Sequence, residues 1–155
     1  MEQLNKNDRR LLDKEWRISH LYKIKNKDKQ LVRFQRNRAQ IEFNKNKHTR
    51  NIILKSRQLG FTTEEVVDAL DDVLFTRNFD SLFIAQDLDT AKDIFNNKID
   101  LAWENFPLKD YYLVDRNSAR QLKFGFGNGQ FSSILVDSSG RSGTYQRLHI
   151  TEFAR

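Results

Sequence analysis

The sequence predicts an α/β fold, with a mainly parallel sheet and helices on its faces. Two observations predict it. Short apolar runs alternate with longer amphipathic stretches in the order strand, turn, helix, strand, helix, and a hairpin and one more short strand follow. The chain of 155 residues is 38% hydrophobic, which suits one domain large enough to bury a core. No internal repeat is visible.

Residues 8–23 are predicted helical, with Leu11, Leu12, Trp16, Ile18 and Leu21 forming an imperfect apolar stripe. The run KIKNKDK (23–29) reads as a polar linker, and residues 37–46 as a short helix. NIILKS (51–56) has the character of a buried parallel strand ending in a polar turn. The stretch TTEEVVDALDDVLFTR that follows reads as a helix, because Val66, Val67, Leu70, Val73 and Leu74 recur at three- and four-residue spacing. Glu64 and Glu65 fall in its first turn, where the helix dipole favours acids.

SLFIAQ (81–86) is a second strand. Asp87 or Asp89 can cap the next helix, whose Ala91, Ile94, Phe95, Ile99, Ala102 and Trp103 form an amphipathic face that Pro107 ends. LKFGF and FSSILV flank the turn GNGQ and predict a hairpin. SSGRSG (138–143) reads as a flexible loop and LHIT (148–151) as a last short strand. The expected organisation is a basic helical segment over 1–30 and an α/β domain over 31–155.

Composition narrows the chemistry. There is no cysteine, which excludes disulfides, thiolate metal sites and a cysteine nucleophile. No apolar run approaches the roughly 20 residues a membrane span needs, and the start lacks a signal-peptide core, so a soluble intracellular protein is expected. The formal net charge is +6, but residues 1–50 alone hold 15 Lys+Arg against 6 Asp+Glu. Such a segment favours a polyanion such as nucleic acid, and the alternative is a solvated charged face with no partner.

In open α/β sheets, ligands sit at the carboxyl ends of strands, often on a helix N-terminus. Here the first strand-to-helix turn reads Lys55-Ser56-Arg57-Gln58-Leu59-Gly60-Phe61-Thr62-Thr63. Against the phosphate-loop pattern G-x-x-x-x-G-K-[ST], Gly60 and Thr62 match, Lys55 replaces the first glycine and Phe61 replaces the lysine. The chemistry needs converging backbone N–H groups, a cation and a hydroxyl for Mg²⁺. Gly60 permits the close backbone approach, Thr62 or Thr63 supplies the hydroxyl, and Lys55 and Arg57 supply charge from the other side of the loop. The plain alternative is an ordinary turn with a glycine and basic neighbours. Hydrolysis further needs a carboxylate beside the loop. Leu148-His149-Ile150-Thr151-Glu152 fits as a strand ending in an acid, with Thr151 where an aspartate is usual.

The strings LKSRQLGFTT and LHITEFAR together resemble the deviant Walker A and Walker B motifs of the ATPase domain of the large terminase subunit of tailed bacteriophages, the motor that packages DNA. RFQRNRAQIEF resembles the stretch where that family places an adenine-contacting glutamine, here Gln40. SLFIAQDLDTAKDIF and SSGRSGTYQRLHITEFA resemble the second strand–helix unit and the run into Walker B, and the resemblance covers roughly residues 31–155. It implies a P-loop NTPase-like fold, incomplete after the Walker B strand, using ATP and Mg²⁺.

By the same resemblance, Lys55 replaces the usual lysine with Arg57 beside it, and Ser56 belongs to the loop. Backbone amides from Gln58 through Leu59, Gly60 and Phe61 to Thr63 hold phosphate. Thr62, with a weaker contribution from Thr151, binds Mg²⁺, and Glu152 activates water. Arg141 faces DNA or phosphate, or is simply a solvent-exposed loop arginine. The implied partners are double-stranded DNA, a small terminase subunit, a portal protein and further copies of the chain, with no membrane, in the cytoplasm of a bacterial host. Family members run on past Walker B into further strands and a nuclease domain, so a truncated product without nuclease activity is expected.

The competing reading is a non-catalytic basic DNA-binding remnant with an inert phosphate loop. Other residues read as structural: His149 lies within a strand, Phe124 and Phe126 alternate as sheet packing residues, and Ser56 and Ser142 lack the setting of a hydrolase nucleophile.

Overall fold

The computed structural model describes residues 8–54, 59–140 and 143–151. The predicted N-terminal helix is broken. A 3₁₀ turn over Arg9–Leu12 precedes α1 (Lys14–Leu21), and Asp13 between them caps α1 by accepting from Glu15 N and Trp16 N. The predicted linker is instead half of a ribbon: β1 (Lys23–Lys25) pairs antiparallel with β2 (Leu31–Arg33). This pairing crosses position 30. α2 (Arg38–Asn46) carries a capping box in which Asn37 and Gln40 satisfy each other's backbone N–H groups.

The expected strand over 51–56 is not formed across the described part of that run. Residues 51–54 have no regular structure, and Ile52 and Leu54 are 93% and 96% exposed. Apolar β-branched residues make a strand only when a second backbone completes the ladder. Among the described residues no strand pairs with this run.

α3 (Phe61–Phe75) is the central helix. Val66, Val67, Ala69, Leu70, Val73 and Leu74 are all buried, and truncating a residue such as Leu70 to alanine should cost about 2–5 kcal/mol. It leads into β3 (Asp80–Ile84), then α4 (Leu88–Ile94), a π-helical stretch Phe95–Asp100 and α5 (Leu101–Glu104). A 3₁₀ turn at Lys109–Tyr111 opens β4 (Leu113–Ser118), a strand with no counterpart in the sequence reading. β5 (Gln121–Gly125) and β6 (Phe131–Asp137) form the predicted hairpin, and β7 (Arg147–Ile150) follows. Asn128, between Gly127 and Gly129, has φ 52° in the hairpin turn.

The main sheet runs β4-β5-β6-β3-β7. β3 is parallel to both β6 and β7, while β4–β5 and β5–β6 are antiparallel, so the sheet is mixed rather than mainly parallel. Consecutive residues Ser81, Leu82 and Phe83 are all buried, so both faces of β3 are covered. Phe124 is fully buried and Phe126 packs at the edge of the same core, with Trp103 4.9 Å from the Phe124 ring. No helix among the described residues is long and apolar enough to cross a membrane.

α1 is fixed to α3 by charge as well as by packing. Arg17 grips Asp71 with two bonds, Nε to Oδ1 at 2.9 Å and Nη2 to Oδ2 at 2.6 Å, and the Tyr22 hydroxyl donates to the same carboxylate at 2.9 Å. With both partners buried, each compensates the desolvation of the other.

Candidate functional site

Parallel pairing aligns the carboxyl ends of three strands: Ile84 is opposite Asp137 of β6 and Ile150 of β7. Just beyond, Ala85 N donates to Asp137 O at 2.8 Å and Thr151 N donates to Ile84 O at 2.9 Å. Thr151 is buried, and its hydroxyl also reaches Ile84 O at 3.3 Å. His149, one pleat earlier, stands beside the Phe83 ring with centroids 5.2 Å apart.

α3 returns to β3 through the short link 76–79, so it runs antiparallel to that strand. One contact fixes the offset between α3 and β7: Arg147 Nη2 donates to Asp68 Oδ2 at 2.6 Å and lies 3.0 Å from Asp72 Oδ2. From Arg147 to Thr151 the strand advances roughly 13 Å. From Asp68 back to Gly60 the helix advances about 12 Å in the same sense. From this contact β7 and α3 thus lead toward the same end of the sheet, one to Thr151 and the other back to Gly60.

That first turn has a glycine in the cap position. α1, α2 and α4 are capped by the side chains of Asp13, Asn37 and Asp87, whereas the cap position of α3 is Gly60. Its φ of 72° is left-handed, and a Cβ there would meet Gln40 Nε2 at 3.1 Å. The first-turn N–H groups receive no side-chain acceptor from the cap, at the positive end of the helix dipole. Gln40 holds the approach: its Nε2 donates to Gly60 O at 3.0 Å and to Leu59 O at 3.4 Å, and Asn37 Nδ2 donates to Leu59 O at 3.1 Å. Phe61 is buried edge-on against Phe43, and Thr62 and Thr63 are half-buried.

Lys98 completes the turn. It lies in the π-helical stretch, a distortion often found at functional sites, and its Nζ donates to Thr63 Oγ1 at 3.1 Å. Burial holds this amine's pKa below the usual lysine value, against an opposing pull from Asp93.

One flank of α3 is acidic and enclosed. Burial works against the Asp68 charge, yet Arg147, Lys14 and Lys47 hold its carboxyl well below the usual range. Glu64 is pushed the other way, chiefly by burial, although Asn44 and Arg36 donate to its Oε1 at 2.7 and 3.0 Å.

Of the residues the sequence singled out, Gln40, Leu59, Gly60, Phe61, Thr62 and Thr63 come together at this turn, and Thr151 ends the neighbouring strand. Lys55, Ser56, Arg57, Gln58, Arg141 and Glu152 lie outside the described residues. Sequence reasoning missed Lys98 and Asn37. The Asn37-x-x-Gln40 spacing is a legible capping signal, but nothing local to position 98 points to Thr63.

No family model matches the chain, and no curated protein does. Among solved structures, the ATPase domain of the large terminase of Thermus phage P74-26 is similar at 17% identity with a TM-score of 0.49, covering 61% of this chain and 44% of that one.

Proposed function

We propose that this chain is the ATP-binding and hydrolysing part of a P-loop motor of the large-terminase type, working on double-stranded DNA. The observation that carries the reading is the Arg147–Asp68 contact, from which β7 leads to Thr151 and α3 leads back to the glycine-capped turn in the same direction. The two motif strings are nearly 90 residues apart in sequence, and their described residues around Gly60 and Thr151 lead toward the same end of the sheet.

The residues present suit a nucleotide phosphate. Gly60 leaves the approach free of a side chain, and the first-turn amides have no acceptor from their cap. Lys55 and Arg57 supply charge from the loop, Lys98 supplies a further ammonium at Thr63, and the amides of Gln58 to Thr63 hold the phosphates, with Ser56 in the same loop. The Thr62 hydroxyl, with a weaker contribution from Thr151, would hold Mg²⁺, which when bound neutralises charge on the transferred phosphoryl group. Glu152 takes the proton of the attacking water as its oxygen bonds the terminal phosphorus and the ADP oxygen departs. Gln40 is buried with its amide fully engaged, Nε2 donating to Leu59 O and Gly60 O and Oε1 accepting from Asn37 N, so it sets the loop's entry into α3, and adenine contact would require that amide to be released. The small terminase subunit, a portal protein and further copies of the chain are the partners this reading carries, in the cytoplasm of a bacterial host.

Thermal melts with and without Mg-ATP test it. Nucleotide at about 100-fold its dissociation constant adds roughly 2.7 kcal/mol to the folded state. Lys55→Ala should remove the shift, and Glu152→Gln should keep the shift while abolishing any hydrolysis. An unshifted wild-type melt at saturating nucleotide overturns the proposal.

A further inference from the structure

Two groups stand out among the cations of residues 1–50. Lys14, Arg17, Arg36 and Lys47 are absorbed internally, each paired with a carboxylate of α3. Lys23, Lys25, Lys27, Lys29 and Arg33 are different: none makes an ion pair with another described residue, and all five are exposed or line the exposed side of the β1–β2 ribbon. Lys23 is opposite Arg33 and Lys25 opposite Leu31, so these residues share one face, while Ile24 and Val32 occupy the other. That inner face is anchored: Ile24 packs against the core, and the buried pair Tyr22 and Phe34 closes the base, with Phe34 N donating to Tyr22 O at 2.9 Å.

The tip is also built. Asn26 Oδ1 accepts from Asp28 N at 3.0 Å and from Gln30 N at 2.9 Å, and Lys29 adopts φ 61°. Asp28 is the only acid between Lys23 and Arg33. A preformed ribbon thus carries five exposed cations against the single acid Asp28, which favours a polyanion.

We propose that the exposed face of the β1–β2 ribbon is a docking surface for the phosphate backbone of duplex DNA. The charge arrangement selects the partner's chemistry. Alternate residues on a strand are about 6.8 Å apart, close to the separation of neighbouring phosphates on one DNA strand once the helical rotation is added to the rise of about 3.4 Å per step. The face has no aromatic side chain on which an unpaired base would stack, which argues for duplex over single-stranded nucleic acid. Its one apolar member is Leu31, too little apolar surface to seat the ribbon in a lipid bilayer. This inference does not depend on the phosphate loop.

Fluorescence anisotropy with a 30-base-pair duplex, titrated over salt without nucleotide, tests it. Each phosphate that the protein no longer neutralises should reduce the log–log salt slope by about 0.9. K23Q/K25Q/R33Q is expected to reduce the slope by about 2–3 and weaken binding at low salt by ten-fold or more, with an unchanged melt because the residues are exposed. R38Q/K45Q/R50Q removes the same charge elsewhere and should leave most of the slope intact. Equal reductions in both variants, or none in the first, overturn the proposal. So does tighter binding of the single strand, or a ribbon variant that loses anionic phosphatidylserine vesicles while keeping DNA.

Discussion

Arg147 on the outer strand β7 and Asp68 on helix α3 meet through a 2.6 Å bond, and this one contact sets how far the strand reaches along the helix. Asp68 is shared: Lys14 lies 3.0 Å away, Lys47 3.1 Å and Arg36 3.5 Å. One buried carboxylate therefore joins α1, the end of α2, the segment before α2 and the edge of the sheet.

Removing Arg147 should leave that acid short of charge. Arg147→Gln is expected to destabilise the fold, measured by urea unfolding, by less than the about 3–5 kcal/mol of a fully stranded buried charge, because Lys14, Lys47 and Arg36 stay beside Asp68. The double variant with Asp68→Asn should cost less than the sum of the two singles. Strict additivity would show that the pair carries no coupling.

The depressed pKa of Asp68 gives a pH prediction with a definite sign. Its folded-state pKa lies below the unfolded value, so its contribution is complete above about pH 4. It is lost as pH falls from there toward the folded-state pKa. Asp68→Asn should therefore flatten the acid limb of the stability–pH curve relative to wild type. An unchanged difference between the two proteins from neutral pH into the acid limb would refute the assignment.

Gly60 and Gln40 should behave as a pair. Gly60→Ala forces a Cβ into a left-handed residue, costing about 1–2 kcal/mol, and crowds Gln40 Nε2 as well. Gln40→Ala leaves the Leu59 and Gly60 carbonyls without that donor, costing about 1–3 kcal/mol. Because the crowding disappears with the glutamine, Gly60→Ala should cost less in the Gln40→Ala background. Calorimetric melts of the four proteins give the comparison.

Lys98→Met keeps the apolar stem and removes the ammonium. Burial already works against that charge, so the melt of the free protein should move little. Under the proposed function, losing a charge-assisted bond worth about 1.5–3 kcal/mol should weaken Mg-ATP by roughly ten-fold or more. An unchanged nucleotide affinity would leave Lys98 as a structural partner of Thr63 alone.

Much of this architecture was legible in the residues. The helix over 61–75 announces itself through its valines and leucines, and the hairpin through GNGQ, because both signals are local. The ribbon was hidden because Lys23-Ile24-Lys25 is too short and too charged to stand out, and its pairing with Leu31-Val32-Arg33 is visible only in three dimensions. The run at 51–54 erred in the opposite direction: Ile52 and Leu54 have strand propensity, but propensity supplies no hydrogen-bonding neighbour. In the candidate site, Gly60 and the two threonines could be read from the loop pattern. Lys98 could not, since it is 35 residues from Thr63 in sequence and arrives through the packing of a π-helical turn.

The sheet order also sets which part of the protein opens first. β3 and β6 each have a neighbour on both sides, while β7 is held by β3 alone among the described residues and by its side-chain link to α3. Amide hydrogens of 147–151 should exchange with solvent well before those of β3 and β6, and sooner still without the Arg147 guanidinium. Among the described residues the strand that leads to Thr151 is thus, with β4, one of the sheet's two edge members, and its release would disturb neither β3–β6 nor β5–β6 pairing.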